Sequence, residues 1–305
     1  MSQARETQPR IVRAQWTVVI FIVAFTASVA LYKFLMHEKL GHTSAMFLGI
    51  PAVLGILIAL TPKAKTVTGG IVKGITLALL IIAPLVGEGY LCILMASPLF
   101  YLVGCGIGAV IDARRKARGV TASCIALLML PLCLEGVVPQ LTWRRAQTVE
   151  VAEIVNAPAD AVEAALAQSP DVHAKLPSFL RIGFPRPLEA HGQGLEQGAM
   201  RTIHFAGAEG DPPGDLTMRI SERAPGYARF ETVSDSSKLT QWVRWDSSEV
   251  LWQAIDAGHT RVTWRVHFER QLDPAWYFTP WERLAVHEAA KFLIGANATP
   301  AAAAR

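Results

Sequence analysis

The sequence predicts two unlike parts in one chain. An all-α membrane bundle of about five transmembrane helices comes first; an α+β domain follows, in which a curved antiparallel sheet wraps a long C-terminal helix. Three observations carry this reading. Apolar runs of bilayer-spanning length crowd residues 16–138 and do not recur later. Charge divides at nearly the same place: residues 1–147 hold fourteen Lys/Arg against five Asp/Glu, and residues 148–305 hold fifteen against twenty. The second half alternates apolar and polar residues over strand-length segments and closes on a helical period. With 305 residues, 51% of them apolar, and a mean hydropathy of +0.31, the chain is long enough for two domains.

The elements follow in order. Residues 1–15 form a basic cytoplasmic segment, 16–138 the membrane domain, 139–147 a short interfacial linker, 148–297 the soluble domain and 298–305 a disordered tail. The opening MSQARETQPRIVR precedes an apolar run longer than a signal-peptide core, with no small-residue cleavage site after it. It therefore reads as a retained anchor. Candidate spans are 16–36, 43–60, 71–86, 90–111 and 120–138, the third extended by Lys73 reaching for the interface. Arg5, Arg10 and Arg13, then Lys63 and Lys65, then Arg114, Arg115, Lys116 and Arg118 fall on one side if five spans cross. That side is cytoplasmic by the distribution of basic residues, which places the soluble domain in the periplasm of a Gram-negative inner membrane. The fifth span contains Pro131 and Glu135, and if it does not cross, the soluble domain is cytoplasmic.

Polar residues inside the apolar half are few. Glu88, between two glycines in PLVGEGYLCILM, marks a turn between spans, and Glu135 in PLCLEGVV repeats the arrangement. With His37, Glu38 and His42 of the loop HEKLGH they fall on one predicted outer surface. Two readings stay open: residues that simply mark helix ends, or a polar pocket or metal site beneath the soluble domain. HEKLGH has one residue more than the zinc-protease spacing, and histidines five apart are about 140° apart on a helix, so a shared metal would need a broken helix and a zinc protease is not expected. Cys92, Cys105, Cys124 and Cys133 lie in apolar runs with no metal-ligand spacing, so neither a metal, a cofactor nor a disulfide framework is expected.

The linker PQLTWRRAQT holds the soluble domain within roughly 35 Å of the last span, and Trp143, Arg144 and Arg145 read as an interfacial anchor. TVEVAEIV then reads as a strand, and NAPADAVEAALAQ as a short helix. The Pro-rich PSFLRIGFPRP separates them from strands in LEQGAMRTIHFA, DLTMRISERA, YARFETVS, TQWVRWDSSEVLWQAID and TRVTWRVHFERQ. A helix from Pro274 to about Ala296 ends the domain, with Phe278, Trp281, Ala285 and Phe292 at helical spacing and Arg283, His287 and Lys291 opposite.

This order, with the segments VNAPADAVEAAL, GQGLEQGAMRTIHF and WRVHFERQLDPAWYFTPWERL, resembles the START-like (SRPBCC) helix-grip superfamily of polyketide cyclases, pollen-allergen-type proteins and lipid-transfer domains. The resemblance covers residues 147–297, and the preceding half resembles multi-pass segments of bacterial membrane proteins. It implies an apolar cavity between the sheet and the long helix.

The pattern points to the same place. Val262, Trp264, Val266 and Phe268 share one face of a strand, as do Leu216, Met218 and Ile220 of another. Trp245 and Trp252 come from the longest strand, where a bulge at DSSE would switch faces. The expected ligand-binding residues are Trp245, Glu249, Trp252, Trp264, Phe268 and Trp281; Arg201, His204 and His267 are further polar candidates, with Glu249 preferred. No catalytic triad, phosphate loop or nucleic-acid motif is present, and an acidic domain argues against nucleic acid. Three functions remain open: a membrane-tethered carrier or sensor of a lipid, isoprenoid, quinone or similar molecule; a cyclase/dehydrase-type enzyme using Glu249 or a cavity His; and an assembly module. The expected partners are the lipid bilayer and a hydrophobic small molecule.

Overall fold

The structure is a computed structural model and describes residues 13–35, 50–86, 90–116, 135–207 and 212–299. The chain divides into two compact units, the first ending at Pro131 and the second beginning at Leu132.

The described part of the first unit is helical: α1 (Arg13–Leu35), α2 (Ile50–Leu60), α3 (Val67–Val86) and α4 (Tyr90–Lys116). Small residues let α3 and α4 approach. A Cβ on Gly108 would lie 2.6 Å from the Thr68 backbone, and one on Gly104 would meet Ile71 and Ile75. Two glycines four apart on one helix face are the usual means of such close packing. Asp112 closes the same contact by accepting from the Val67 and Thr68 amides at 2.8 and 2.9 Å and from the Thr68 hydroxyl at 2.7 Å. These are otherwise unpaired N–H groups of the first turn of α3. Lys73 donates to the carbonyl of Thr61, just past α2, at 2.9 Å, and Gln15 joins it there.

The expectation of five spans is corrected in number. Among the described residues one helix, Ile93–Arg115 within α4, is long and apolar enough to cross a membrane. Arg13–Ser28 within α1, Ile50–Leu60 and Val67–Ile81 within α3 are further apolar helical stretches. Most of the fifth expected span lies outside the described residues. Its end does not continue a helix: Glu135–Val138 belongs to the second unit and leads into a short 3-10 turn, Pro139–Leu141.

In the second unit, seven strands form one antiparallel sheet in the order β1-β7-β6-β5-β4-β3-β2. They are β1 (Ala146–Val155), β2 (Pro187–His191), β3 (Met200–Phe205), β4 (Gly214–Ala224), β5 (Tyr227–Asp235), β6 (Val243–Ala254) and β7 (Thr260–Arg270). A short helix α5 (Ala159–Leu166) follows β1, and the long helix α6 (Ala275–Leu293) follows β7 and packs on β1 and β7. The alternation that predicted β7 holds: Val262, Trp264, Val266 and Phe268 are buried on the inner face. β2 was not expected, because it opens on a proline within a Pro-rich stretch; as the last strand of the sheet it tolerates one. The domain also runs slightly past its expected end, since Ala298 is fully buried.

Candidate functional site: an apolar cavity under the sheet

The bulge in β6 decides which side chains face inward. Pairing with β7 shifts register between Trp245 and Ser247, so Asp246 is extra. Val243 and Trp245 before it, and Ser248, Val250 and Trp252 after it, thereby share the inner face although their numbers differ in parity. The inner face is closed by α6 and by the segment 170–187 between α5 and β2.

A cavity of about 110 Å³ remains between them. The sheet supplies Ile203, Leu216, Met218, Val243 and Trp245; α6 supplies Ala285, Val286, Ala289, Phe292 and Leu293. Segment 170–187 supplies Val172, Leu176, Leu180 and Phe184 with three prolines, and every lining residue is apolar or aromatic. A smaller recess of about 30 Å³ shares Pro170, Ile203, Met218 and Leu293 with it and adds Arg201, Ser248, Asn297 and Trp264. The indole nitrogens of Trp245 and Trp264 are buried without an acceptor among the described residues.

The expected site residues divide accordingly. Trp245 lines the main cavity and Trp264 the smaller recess, where it stacks on Phe230 with centroids 6.1 Å apart. Phe268 faces inward but is packed solid, so it contributes core rather than cavity wall. Trp252 sits elsewhere on the inner face. Its indole donates to Glu163 of α5 at 3.3 Å, and Arg223 lies 4.9 Å over its ring, so it docks α5. Trp281 points away from the cavity and stacks on Phe179. It still supports the cavity wall, because Phe179 packs on Phe184 and Phe184 on Trp242, which both line it.

Glu249 is the main correction. It lies on the outer face of the sheet, where Arg229 and Arg265 bond it at 3.5 and 3.0 Å and His267 approaches to 3.4 Å. In an unbroken strand Glu249 would share the face of Val243 and Trp245, but the extra residue Asp246 turns it outward. It therefore cannot serve as the acid or base of a reaction inside the cavity. His267 faces outward, as its alternation with Val266 and Phe268 implies, and so does His204, which lies on Asp215 at 2.6 Å. Arg201 faces inward but serves the fold: it donates to the carbonyls of Leu166, Gln168, Gly192 and Gly194, fastening the end of α5 to the loop before β3. Burial lowers its pKa from the ordinary arginine value.

His37, Glu38, His42 and Glu88 lie outside the described residues. Glu135, expected with them on a shared polar surface, is buried in the second unit. It accepts from Arg270 at 2.9 Å, from the Trp143 amide at 3.0 Å and from the Ala275 amide that opens α6. Asp273 completes this cluster, bonded by Arg270 at 2.5 Å and Arg145 at 2.6 Å. Burial pushes its carboxyl upward, but the two guanidinium groups more than offset that and hold it below the usual range. Arg145 is thus tied to the fold through Asp273.

One buried carboxyl was missed. Glu282 of α6 accepts from the amides of Gln271 and Leu272, both at 3.1 Å, while its second oxygen is buried without a partner. Burial pushes its pKa up to about 7, against the pull of those two amides. Its spacing gave the signal: it falls four residues after Phe278 and three before Ala285, on the inward stripe.

A curled antiparallel sheet closed by a C-terminal helix, as here, is a helix-grip architecture. No protein-family model matches the chain, and no curated protein matches it. Among solved structures, the chain is similar to the Zhui aromatase/cyclase from Streptomyces sp. R1128, at 19% identity over 50% of this chain and 86% of that one, with a TM-score of 0.30. It is similar to ginseng major latex-like protein 151 from Panax ginseng, at 12% identity over 52% and 100%, with a TM-score of 0.33. A third is protein Ms6760 from Mycobacterium smegmatis, at 17% identity over 48% and 86%, with a TM-score of 0.33.

Proposed function

We propose that the chain is a membrane-tethered binding protein, a carrier or sensor, for a hydrophobic small molecule. The observation that carries this reading is the cavity lined by apolar side chains alone. Nothing in such a lining activates a substrate, whereas each Å² of apolar ligand surface removed from water contributes about 25 cal/mol. At about 110 Å³ the cavity is close in size to dry cavities of ~150 Å³ that take a benzene ring. It accepts a ring or several methylenes as it stands. A longer molecule would displace segment 170–187, whose only regular element is one 3-10 turn, Leu180–Ile182.

Two observations support the tether. The apolar stretch of α4 is long enough to cross a bilayer, and side chains such as Phe21, Leu57 and Phe100 stand exposed on the first unit. Water does not favour a helical unit with its apolar side chains outward, and a bilayer does. Ligand would then enter from the membrane without crossing bulk water.

The test is organic extraction of the full chain purified in mild detergent, with mass spectrometry of what is released, beside an Ala289→Phe variant. Ala289 lines the cavity, and a phenyl ring there occupies its space. A stoichiometric apolar compound from the parent, absent from a variant of equal thermal stability, supports the reading. Equal yields from both, or none from either together with no uptake of an apolar fluorescent probe, overturn it.

A further inference from the structure

A second recess, of about 520 Å³, shares no residue with the apolar cavity. The linker and the start of β1 contribute Trp143, Arg144 and Gln147; α6 contributes Trp276, Thr279 and Arg283. No carboxylate lines it. Arg270 also reaches it, but that charge is balanced within the buried cluster, where Arg145 and Arg270 face Glu135 and Asp273. Two positive charges are left over. Arg144 is exposed and forms no ion pair among the described residues. Arg283 is steadied through one nitrogen, which donates to Thr148 O at 3.0 Å and Gln147 Oε1 at 3.3 Å, and its other nitrogens point to no protein acceptor among the described residues.

The surroundings are apolar and exposed. Trp143 in the recess is 58% exposed; Leu141 on the same linker and Val137 just before it are 40% and 74% exposed. Guanidinium groups beside exposed indole and aliphatic side chains suit the zone where phosphates meet acyl chains, and each Arg near an anionic membrane surface adds about 1 kcal/mol. A soluble anion would be served by the guanidinium groups but would leave those apolar side chains in water.

We propose that this recess docks the phosphate-bearing headgroup of an anionic phospholipid, laying the linker and the first half of α6 on the membrane surface. The proposal rests on the membrane-tethered reading, since it requires a bilayer beside the linker. Arg144 and Arg283 bind the phosphate, and Trp143 lies at the level of the acyl ester groups. Held this way, α6, whose other half walls the apolar cavity, is fixed relative to the bilayer.

The experiment is native mass spectrometry of the full chain in detergent, titrated with phosphatidylglycerol or with phosphatidylcholine. Arg144→Gln and the double variant Arg144→Gln/Arg283→Gln are run alongside, with thermal unfolding as the control for folding. The parent is expected to retain one more phosphatidylglycerol than the double variant, with equal phosphatidylcholine. That extra binding should weaken roughly fivefold in the single variant and roughly thirtyfold in the double. Equal phosphatidylglycerol binding in all three chains overturns this proposal and leaves the tether standing. Displacement of the lipid by glycerol 3-phosphate at the same concentration also overturns it, in favour of a soluble anion. A full chain that stays monodisperse without detergent and retains no lipid overturns the tethered reading itself.

Discussion

Glu135 and Arg270 form an ion pair at 2.9 Å with both side chains out of water, Arg270 at 0% and Glu135 at 4% exposure. The guanidinium also bonds Asp273 and the carbonyls of Leu272 and Trp143, while the carboxylate takes two backbone amides. One pair therefore joins the segment entering the domain, the end of β7 and the start of α6. Gly136 beside it has φ +84°, and a side chain there would run into Asp273.

Removing Arg270 leaves the buried Glu135 without a counter-charge, which costs about 3–5 kcal/mol, and removing Glu135 costs less because Asp273 still faces Arg270. Glu135→Ala and Arg270→Ala should each lower the thermal midpoint of the second unit substantially, read by tryptophan fluorescence of the full chain. The double variant Glu135→Leu/Arg270→Met should recover much of the loss. If Glu135→Ala unfolds at the parental temperature, the pair does not hold the junction together.

Glu282 predicts a pH dependence of known sign. Its folded pKa of about 7 lies above the ordinary value of 4.5, so the folded state holds its proton more tightly than the unfolded chain. The associated stability is fully present below about pH 4.5 and is lost as pH rises through 7, on the order of 3 kcal/mol in all. Glu282→Gln keeps an acceptor for the Gln271 and Leu272 amides and has no proton to lose. It should flatten the decline between pH 5 and 8 and raise the midpoint at pH 8. Parallel curves for parent and variant would show that the carboxyl titrates normally.

In the first unit, the contact between α3 and α4 depends on Gly108, where an added Cβ would press on the Thr68 backbone. Gly108→Leu should separate the helices and free Asp112 from the first turn of α3, whereas Gly106→Ala, whose added Cβ meets nothing within 4 Å among the described residues, should be neutral. Cysteine pairs placed across the two helices should cross-link in the parent and in Gly106→Ala but not in Gly108→Leu.

Much of the second unit could be read from alternation, because each strand buries one face and exposes the other. β7 shows this without exception from Val262 to Phe268. What alternation cannot give is where the inner face is left uncovered. Phe268 and Trp245 both face inward, yet only Trp245 meets a void, because the space depends on where α6 and segment 170–187 leave off. Glu135 was misplaced for a related reason. An apolar neighbourhood in sequence looks the same whether membrane or protein core surrounds it, and its partner Arg270 lies 135 residues away.

Trp245 and Glu249 lie four residues apart on β6, one on the cavity and the other on the outer surface, and the extra residue Asp246 between them sets that difference. Their substitutions should therefore separate binding from stability. Trp245→Ala removes a large part of the apolar wall and should weaken the affinity for an apolar fluorescent probe by about tenfold, since each 1.4 kcal/mol of lost burial is a factor of ten. Glu249→Gln leaves that wall intact and should not change probe affinity. It breaks partly exposed pairs with Arg229 and Arg265 and should cost about 1 kcal/mol of stability. Probe titrations on both variants, beside their thermal midpoints, decide the matter: loss of probe binding in Glu249→Gln with binding retained in Trp245→Ala would mean that β6 runs without the bulge and presents its other face to the ligand.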